Sequence, residues 1–140
     1  MKITDMSKLD LAYAPPFSSA MDIIITAVNV LNNKIDGNYT GISPVELKHK
    51  MEKKEDFILL DIRSHSEYDD DSITGSTHIP LNILRGRLHQ LPKDREIIIC
   101  CRSGVNSYEA LRIFKAHDFN NAKVLDGGIV TFRGETTEIY

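Results

Sequence analysis

Only two of the 140 residues are cysteine, and they stand side by side as Cys100 and Cys101. Sequence neighbours cannot build a disulfide framework. With five scattered histidines they also show no zinc spacing, so no metal site is expected. Long apolar runs are missing too. The best candidate, AMDIIITAVNVL, is far shorter than the ~20 apolar residues that a bilayer crossing requires. The opening stretch MKITDMSKLDLAYAPP has no apolar core of the signal-peptide kind. Few cysteines and no leader together predict a reducing, cytoplasmic setting. No GxGxxG stretch occurs, so the chain is expected to bind neither FAD nor NAD, and no cofactor is expected. An excess of positive charge is absent as well: the formal net charge is -3, which argues against a nucleic-acid partner. The lysines of KHKMEKKED have acids between them and read as a solvated helix face.

What is present suits one soluble globular domain with an appendage, since 41% of residues are hydrophobic and 26% charged. Residues 1–37 form a lead segment. LDLAYAPPFSS reads as loop, and a helix follows it with Ser19 as N-cap and Asp22 three residues later. Met21, Ile24, Ile25, Val28 and Leu31 fall at helical spacing, and Ile23, Ala27 and Val30 widen the apolar face. KIDGN then stops the helix.

From residue 38 to 140 short apolar runs alternate with helical patterns. YTGI, FILLDI, THIP, EIIICC and AKVLD read as strands. SPVELKHKME opens a helix with Ser43 as N-cap, Pro44 in the first turn and Glu46 completing a capping box. Leu81, Leu84, Leu88 and Leu91 mark a second helix, and SYEALRIFKAHDF a third, starting at about Ser107. Strands alternating with helices predict an α/β domain of three layers, a central parallel sheet flanked by helices.

The two cysteines occupy different places on this map. Cys100 continues Ile97-Ile98-Ile99 and is expected inside the sheet as a small buried hydrophobe. Cys101 falls at the carboxyl end of a central strand, where open α/β sheets place their ligands. The loop CRSGVNS and a helix start come next. Backbone N–H groups and the positive helix end favour a thiolate there, the nucleophilic form of the thiol. Gly104 allows the backbone to curl around the sulfur. Arg102 adds a positive charge that could receive an anionic substrate.

LLDIRSHSEYDDDSITGSTHIPL followed by IIICCRSGVNSYEALRIFKAHDFNNAKVLDGGI resembles a rhodanese domain, the sulfurtransferase fold, over about residues 41–132. The pieces stand in the family's order: Asp61-Ile62-Arg63 after a strand, Glu67, Gly75 before STHIP, the cysteine loop, and Gly127-Gly128 after the last strand. The resemblance implies that Cys101 is the catalytic cysteine. It would carry a persulfide cradled by Arg102, Ser103, Gly104, Val105, Asn106 and Ser107. Asp61 and Arg63 would organise the loop rim through a local ion pair. It also implies double displacement, from thiosulfate or a related donor to a thiol or cyanide. Two positions depart from the common pattern: Asp71-Ser72 replace a Gly-His pair, and Asn106 stands where many members have arginine. Phosphatases of similar fold use Cys-x5-Arg. Ser107 follows Cys101 by six residues and Asn106 follows Cys100 by six, so the phosphoryl clamp is missing.

The lead segment carries a second resemblance. LDLAYAPPFSSAMD is similar to the interface-domain tail of pyridine nucleotide-disulfide oxidoreductases, the coenzyme A-disulfide reductase and NADH oxidase group. Met21 and Ile23 depart from that pattern. Some members of the group end in a rhodanese domain. The chain then reads either as part of such a flavoenzyme or as a free-standing protein that keeps the helix. The apolar face of residues 21–31 would meet a partner, a second copy or a flavoprotein reductase, or would fold back on the second region; the sequence admits both. An alternative function follows: a persulfide- or sulfide-binding adaptor of such a reductase, with little turnover of its own.

Overall fold

The computed structural model describes residues 23–136. The chain divides into two compact units that meet in sequence at Tyr39 and Thr40. In the first unit, helix α1 spans Ile23–Ile35. Of the expected apolar face Val28 is buried, whereas Val30 and Leu31 are 46% and 45% exposed. The helix ends as KIDGN predicts. Gly37 takes φ +69°, and the amide of Tyr39 donates to the carbonyl of Asn33 at 2.9 Å. Ser19, the expected cap, lies outside the described residues.

The second unit holds a five-stranded parallel sheet. In chain order its elements are β1 Gly41–Ile42, α2 Pro44–Glu52, β2 Phe57–Asp61, α3 His65–Asp70, β3 Thr77–His78, α4 Leu81–Arg87, a 3-10 turn Leu88–Gln90, β4 Glu96–Cys100, α5 Val105–Ala116, β5 Ala122–Leu125 and α6 Gly128–Thr136. The strand order is β1-β5-β4-β2-β3. β4 sits in the middle, and Ile97, Ile98 and Ile99 are at most 1% exposed, as a strand covered on both faces demands. One face packs Leu59, Ile98, Cys100 and Leu125 against Leu47 of α2 and Ile129 and Phe132 of α6. α4 and α5 pack together as the other pair of helices.

Local chemistry explains most boundaries. Ser43 caps α2, its hydroxyl accepting from the Glu46 amide at 3.2 Å with Pro44 at the first helical position. The expected leucine helix stops at Arg87 instead of running to Leu91. Gly86 weakens its last turn, and Pro92 forces Leu91 into an extended conformation, φ -106° and ψ 132°. α5 begins at Val105, two residues before the expected start, because Gly104 turns the chain first. Helices α3 and α6 were not expected. The capping box of α3 was legible, since Ser64 and Glu67 cap each other. GIVTFRGET of α6, rich in glycine and β-branched residues, carries no such signal.

The topology creates one switch point. From β2 the chain moves outward to β3, and from β4 it moves the other way to β5, while β2 and β4 are neighbours. A crevice therefore opens beyond the carboxyl ends of β2 and β4. The amino ends are tied by charge: the Glu96 carboxylate takes Lys50 at 2.9 Å and Lys123 at 2.7 Å. Burial pushes the Glu96 carboxyl up, but the hydrogen bonds from Lys123 and Lys50 outweigh it, so it lies below the usual 4.5. A depressed carboxyl stabilises the fold above its unfolded pKa and stops doing so as pH falls through the folded value. The stability gap between wild type and Glu96→Gln, measured by thermal unfolding, is expected to be full at neutral pH. It should shrink as the pH drops below 4.5.

Candidate functional site

Asp61 ends β2 opposite Cys100, the last residue of β4. Its carboxylate is fully buried and receives four hydrogen bonds from Arg63. The backbone amide and Nε donate to Oδ1 at 3.0 and 3.1 Å, while Nε and Nη2 donate to Oδ2 at 3.1 and 2.7 Å. Arg63 also donates to the carbonyl of Asp71. Burial is the main reason the Cys100 thiol is pushed far above its ordinary range, and the Asp61 charge and a hydrogen bond to Asp61 add to it. Cys100 is fully buried and stays a protonated thiol, an inert one.

Cys101 lies one residue past the strand. The Gly104 amide donates to its Sγ at 3.0 Å, and Gly104 reaches that position with φ +96°. Behind the loop stands α6. The Ile129 amide donates to the Cys101 carbonyl at 2.9 Å and the Val130 amide to the Arg102 carbonyl at 3.2 Å. The loop residues then part company. Arg102 and Asn106 are exposed and line a cleft of about 370 Å³. Ser103 is exposed, and Val105 is 75% exposed. Ser107 is fully buried, and its hydroxyl finds no partner among the described residues. Cys101 itself is 2% exposed, beneath the loop.

The cleft fills the switch point. Ile62, Arg63, Ser64, His65 and Glu67 line it after β2, Pro80, Leu81 and Asn82 after β3, and Arg102 and Asn106 after β4. Its rim is braced by residues the sequence reading missed. His78 donates through Nε2 to the Arg63 carbonyl at 2.9 Å, since a carbonyl can only accept. The His78 ring stacks on Tyr68 at 4.2 Å and meets His65 edge-on at 4.8 Å. Tyr68 in turn donates to the Ser76 carbonyl at 2.9 Å. Only the Ser64–Glu67 capping box could have pointed to this cluster. The Glu67 carboxyl is held low by hydrogen bonds from the Ser64 hydroxyl and amide, so it is an occupied carboxylate rather than a free base.

The unusual Asp71-Ser72 pair also has a place. Arg133 of α6 pairs with the Asp71 carboxylate and donates to the Ser72 carbonyl at 3.0 Å. The segment is thus gripped by Arg63 from one side and Arg133 from the other. No group of three or more His, Cys, Asp or Glu among the described residues could hold a metal ion. No described helix is long and apolar enough to cross a membrane.

A family model described as the Rhodanese-like domain matches residues 43–135. A sulfurtransferase of Allochromatium vinosum is 31% identical over 65% of this chain and 85% of its own length. A putative sulfurtransferase of Bacillus subtilis, YtwF, is 32% identical over 68% of this chain and 91% of its own. Two solved structures are similar over nearly the whole chain. One is a NAD-dependent persulfide reductase from A. fulgidus, 42% identical over 94% of this chain with a TM-score of 0.76. The other is reduced Bacillus anthracis CoADR-RHD, 33% identical over 96% with a TM-score of 0.83. This chain spans 23% of each of those two.

Removing one member of a buried ion pair strands the other. Asp61→Asn leaves Arg63 uncompensated beneath the rim and is expected to cost roughly 3–5 kcal/mol of stability. Chemical denaturation measures it; a change within error would mean the pair does not hold the rim.

Proposed function

Because the chain belongs to the rhodanese-like domain family, whose model matches residues 43–135, we propose that it is a sulfurtransferase that carries sulfane sulfur on Cys101. The observation that carries this reading is the Gly104 amide at 3.0 Å from Cys101 Sγ, in a loop that opens beside the Arg102-bearing cleft. Cys100 is unsuited to the task, buried and hydrogen-bonded to Asp61.

The chemistry is two displacements at sulfur. The Cys101 thiolate attacks the outer sulfur of thiosulfate. A new S–S bond forms to that atom. The bond between the two thiosulfate sulfurs breaks, and its electron pair leaves on sulfite. A thiolate or cyanide then attacks the outer sulfur of the persulfide, and the Cys101 thiolate is regenerated. Neither step needs an external oxidant or reductant. N–H donors such as Gly104 stabilise the anionic sulfur without reorganising during the step. Arg102 and Asn106 receive the anionic part of the donor. Asn106 offers an amide in place of a fixed charge, so the loop itself brings one arginine to the substrate.

A second reading is favoured by one observation: the two reductase structures match this chain almost from end to end. In it the chain is the persulfide-carrying module of a flavin-dependent reductase, and the sulfur leaves only to that partner. Steady-state transfer from thiosulfate to cyanide separates the two. A self-sufficient enzyme turns over many times; an adaptor stops after one sulfur. In either case Cys101→Ser is expected to abolish transfer, and Cys100→Ser to retain it. Arg102→Ala is expected to raise KM for thiosulfate about tenfold or more, the loss of a charge-assisted contact. A dead Cys100→Ser beside an active Cys101→Ser would overturn the assignment.

A further inference from the structure

The cysteine loop is oriented from behind. In a trans peptide the C=O and N–H of one unit point in opposite directions. The Cys101 carbonyl is held by the Ile129 amide at 2.9 Å, and the same peptide unit carries the Arg102 N–H. The Arg102 carbonyl is held by the Val130 amide at 3.2 Å, and its unit carries the Ser103 N–H. Both carbonyls are drawn towards α6, so both N–H groups face away from it. The next N–H, that of Gly104, already reaches Cys101 Sγ at 3.0 Å.

From this geometry we infer that the first turn of α6, with Gly128 at its start, is the positioning element that polarises the loop. It gives the sulfur side N–H groups and sends the carbonyl oxygens to the back. The inference rests on the reading of Cys101 as the sulfur carrier and assigns Gly128 a role in it. The amides of a first helical turn have no partner inside their own helix, so Ile129 and Val130 can donate to the loop at no loss to α6.

This close docking leaves no room for a side chain. A Cβ on Gly128 would stand 2.5 Å from the Cys101 carbonyl oxygen, 2.6 Å from that of Arg102 and 2.7 Å from the Arg102 carbonyl carbon. All three are backbone atoms that cannot rotate out of the way. Gly128 also holds φ +64°, a conformation side chains disfavour. Gly104 is different. A Cβ there would make ordinary contact, 3.6 Å from the Gly127 nitrogen. Its glycine is required by the φ of the turn, and that of Gly128 by the contact as well. Gly128 touches no substrate; it acts through the loop backbone.

The test compares two alkylating reagents on Cys101 in a Cys100→Ser background. Iodoacetate and iodoacetamide attack the same thiolate, so their rate ratio cancels thiolate content and reports attraction for an anion at the loop. Gly128→Ala is expected to lower the ratio roughly fivefold, the loss of about one net hydrogen bond's orientation. Replacing Ile129 by its α-hydroxy acid analogue turns one N–H into an ester oxygen, changes no side chain, and is expected to lower the ratio in the same direction. Gly134→Ala, where a Cβ meets nothing within 4 Å, should leave it unchanged. A folded Gly128→Ala or ester variant with the wild-type ratio overturns the inference. If Gly128→Ala does not fold, the ester variant decides alone. Neither reagent delivers sulfur. Failed persulfide loading with a lowered ratio therefore sinks the sulfur-carrier reading and spares the positioning role. Normal loading with an unchanged ratio does the reverse.

Discussion

Consecutive carbonyls leave a strand on opposite sides, and at the end of β4 that alternation separates two neighbouring cysteines. The Cys100 carbonyl accepts from the Ile62 amide at 3.0 Å, on the β2 side. The Cys101 carbonyl accepts from the Ile129 amide at 2.9 Å, on the α6 side. The first bond continues the sheet. The second ends it and starts the loop. Each thiol then inherits a different neighbourhood. Cys100 belongs to the core with Leu59, Ile98 and Leu125 and keeps its proton, which it donates in a hydrogen bond to the buried Asp61 carboxylate. Cys101 lies under a loop whose Gly104 N–H is aimed at its sulfur. Adjacent residues of one type thus acquire different surroundings, one beside a buried carboxylate and the other beside a backbone N–H.

The rest of the carboxyl-end surface follows from that division. The switch between β2 and β4 opens a cleft beside the loop. Arg63, held by Asp61, lines it, and His78, Tyr68 and Ser76 brace its rim. The cleft takes in Arg102 but not the charge of Arg63, which is spent on Asp61. Arg102, the amides of Asn82 and Asn106 and the carboxylate of Glu67 all line it. At about 370 Å³ the cleft is of small-molecule size, with room for more than a four-atom oxyanion head.

Much of this was legible in the sequence. The run Ile97-Ile98-Ile99 declared a central buried strand, and so placed Cys100 inside and Cys101 at the edge. Asp61 and Arg63 stood out through the rhodanese resemblance of the Asp-Ile-Arg run that follows a strand, and the structure draws them into one ion pair. What escaped was long-range. The stacking of His78 on Tyr68 joins residues that no periodicity connects. α6 has weak intrinsic preference for a helix and owes its place to packing by Ile129 and Phe132 and to the amides it donates to the loop. The Gly127-Gly128 pair was visible as a pattern, yet only the docked backbone shows why the second glycine admits no side chain.

The claim on which all of this turns is that one sulfur atom of the pair, and not its neighbour, takes up sulfane sulfur. Wild-type protein incubated with thiosulfate can be digested and the peptide spanning Glu96 to Leu111 fragmented between the two cysteines by tandem mass spectrometry. One added sulfur atom is expected on the fragment that contains Cys101, removable by a thiol, and none on the fragment that ends at Cys100. Added sulfur on Cys100 would contradict it.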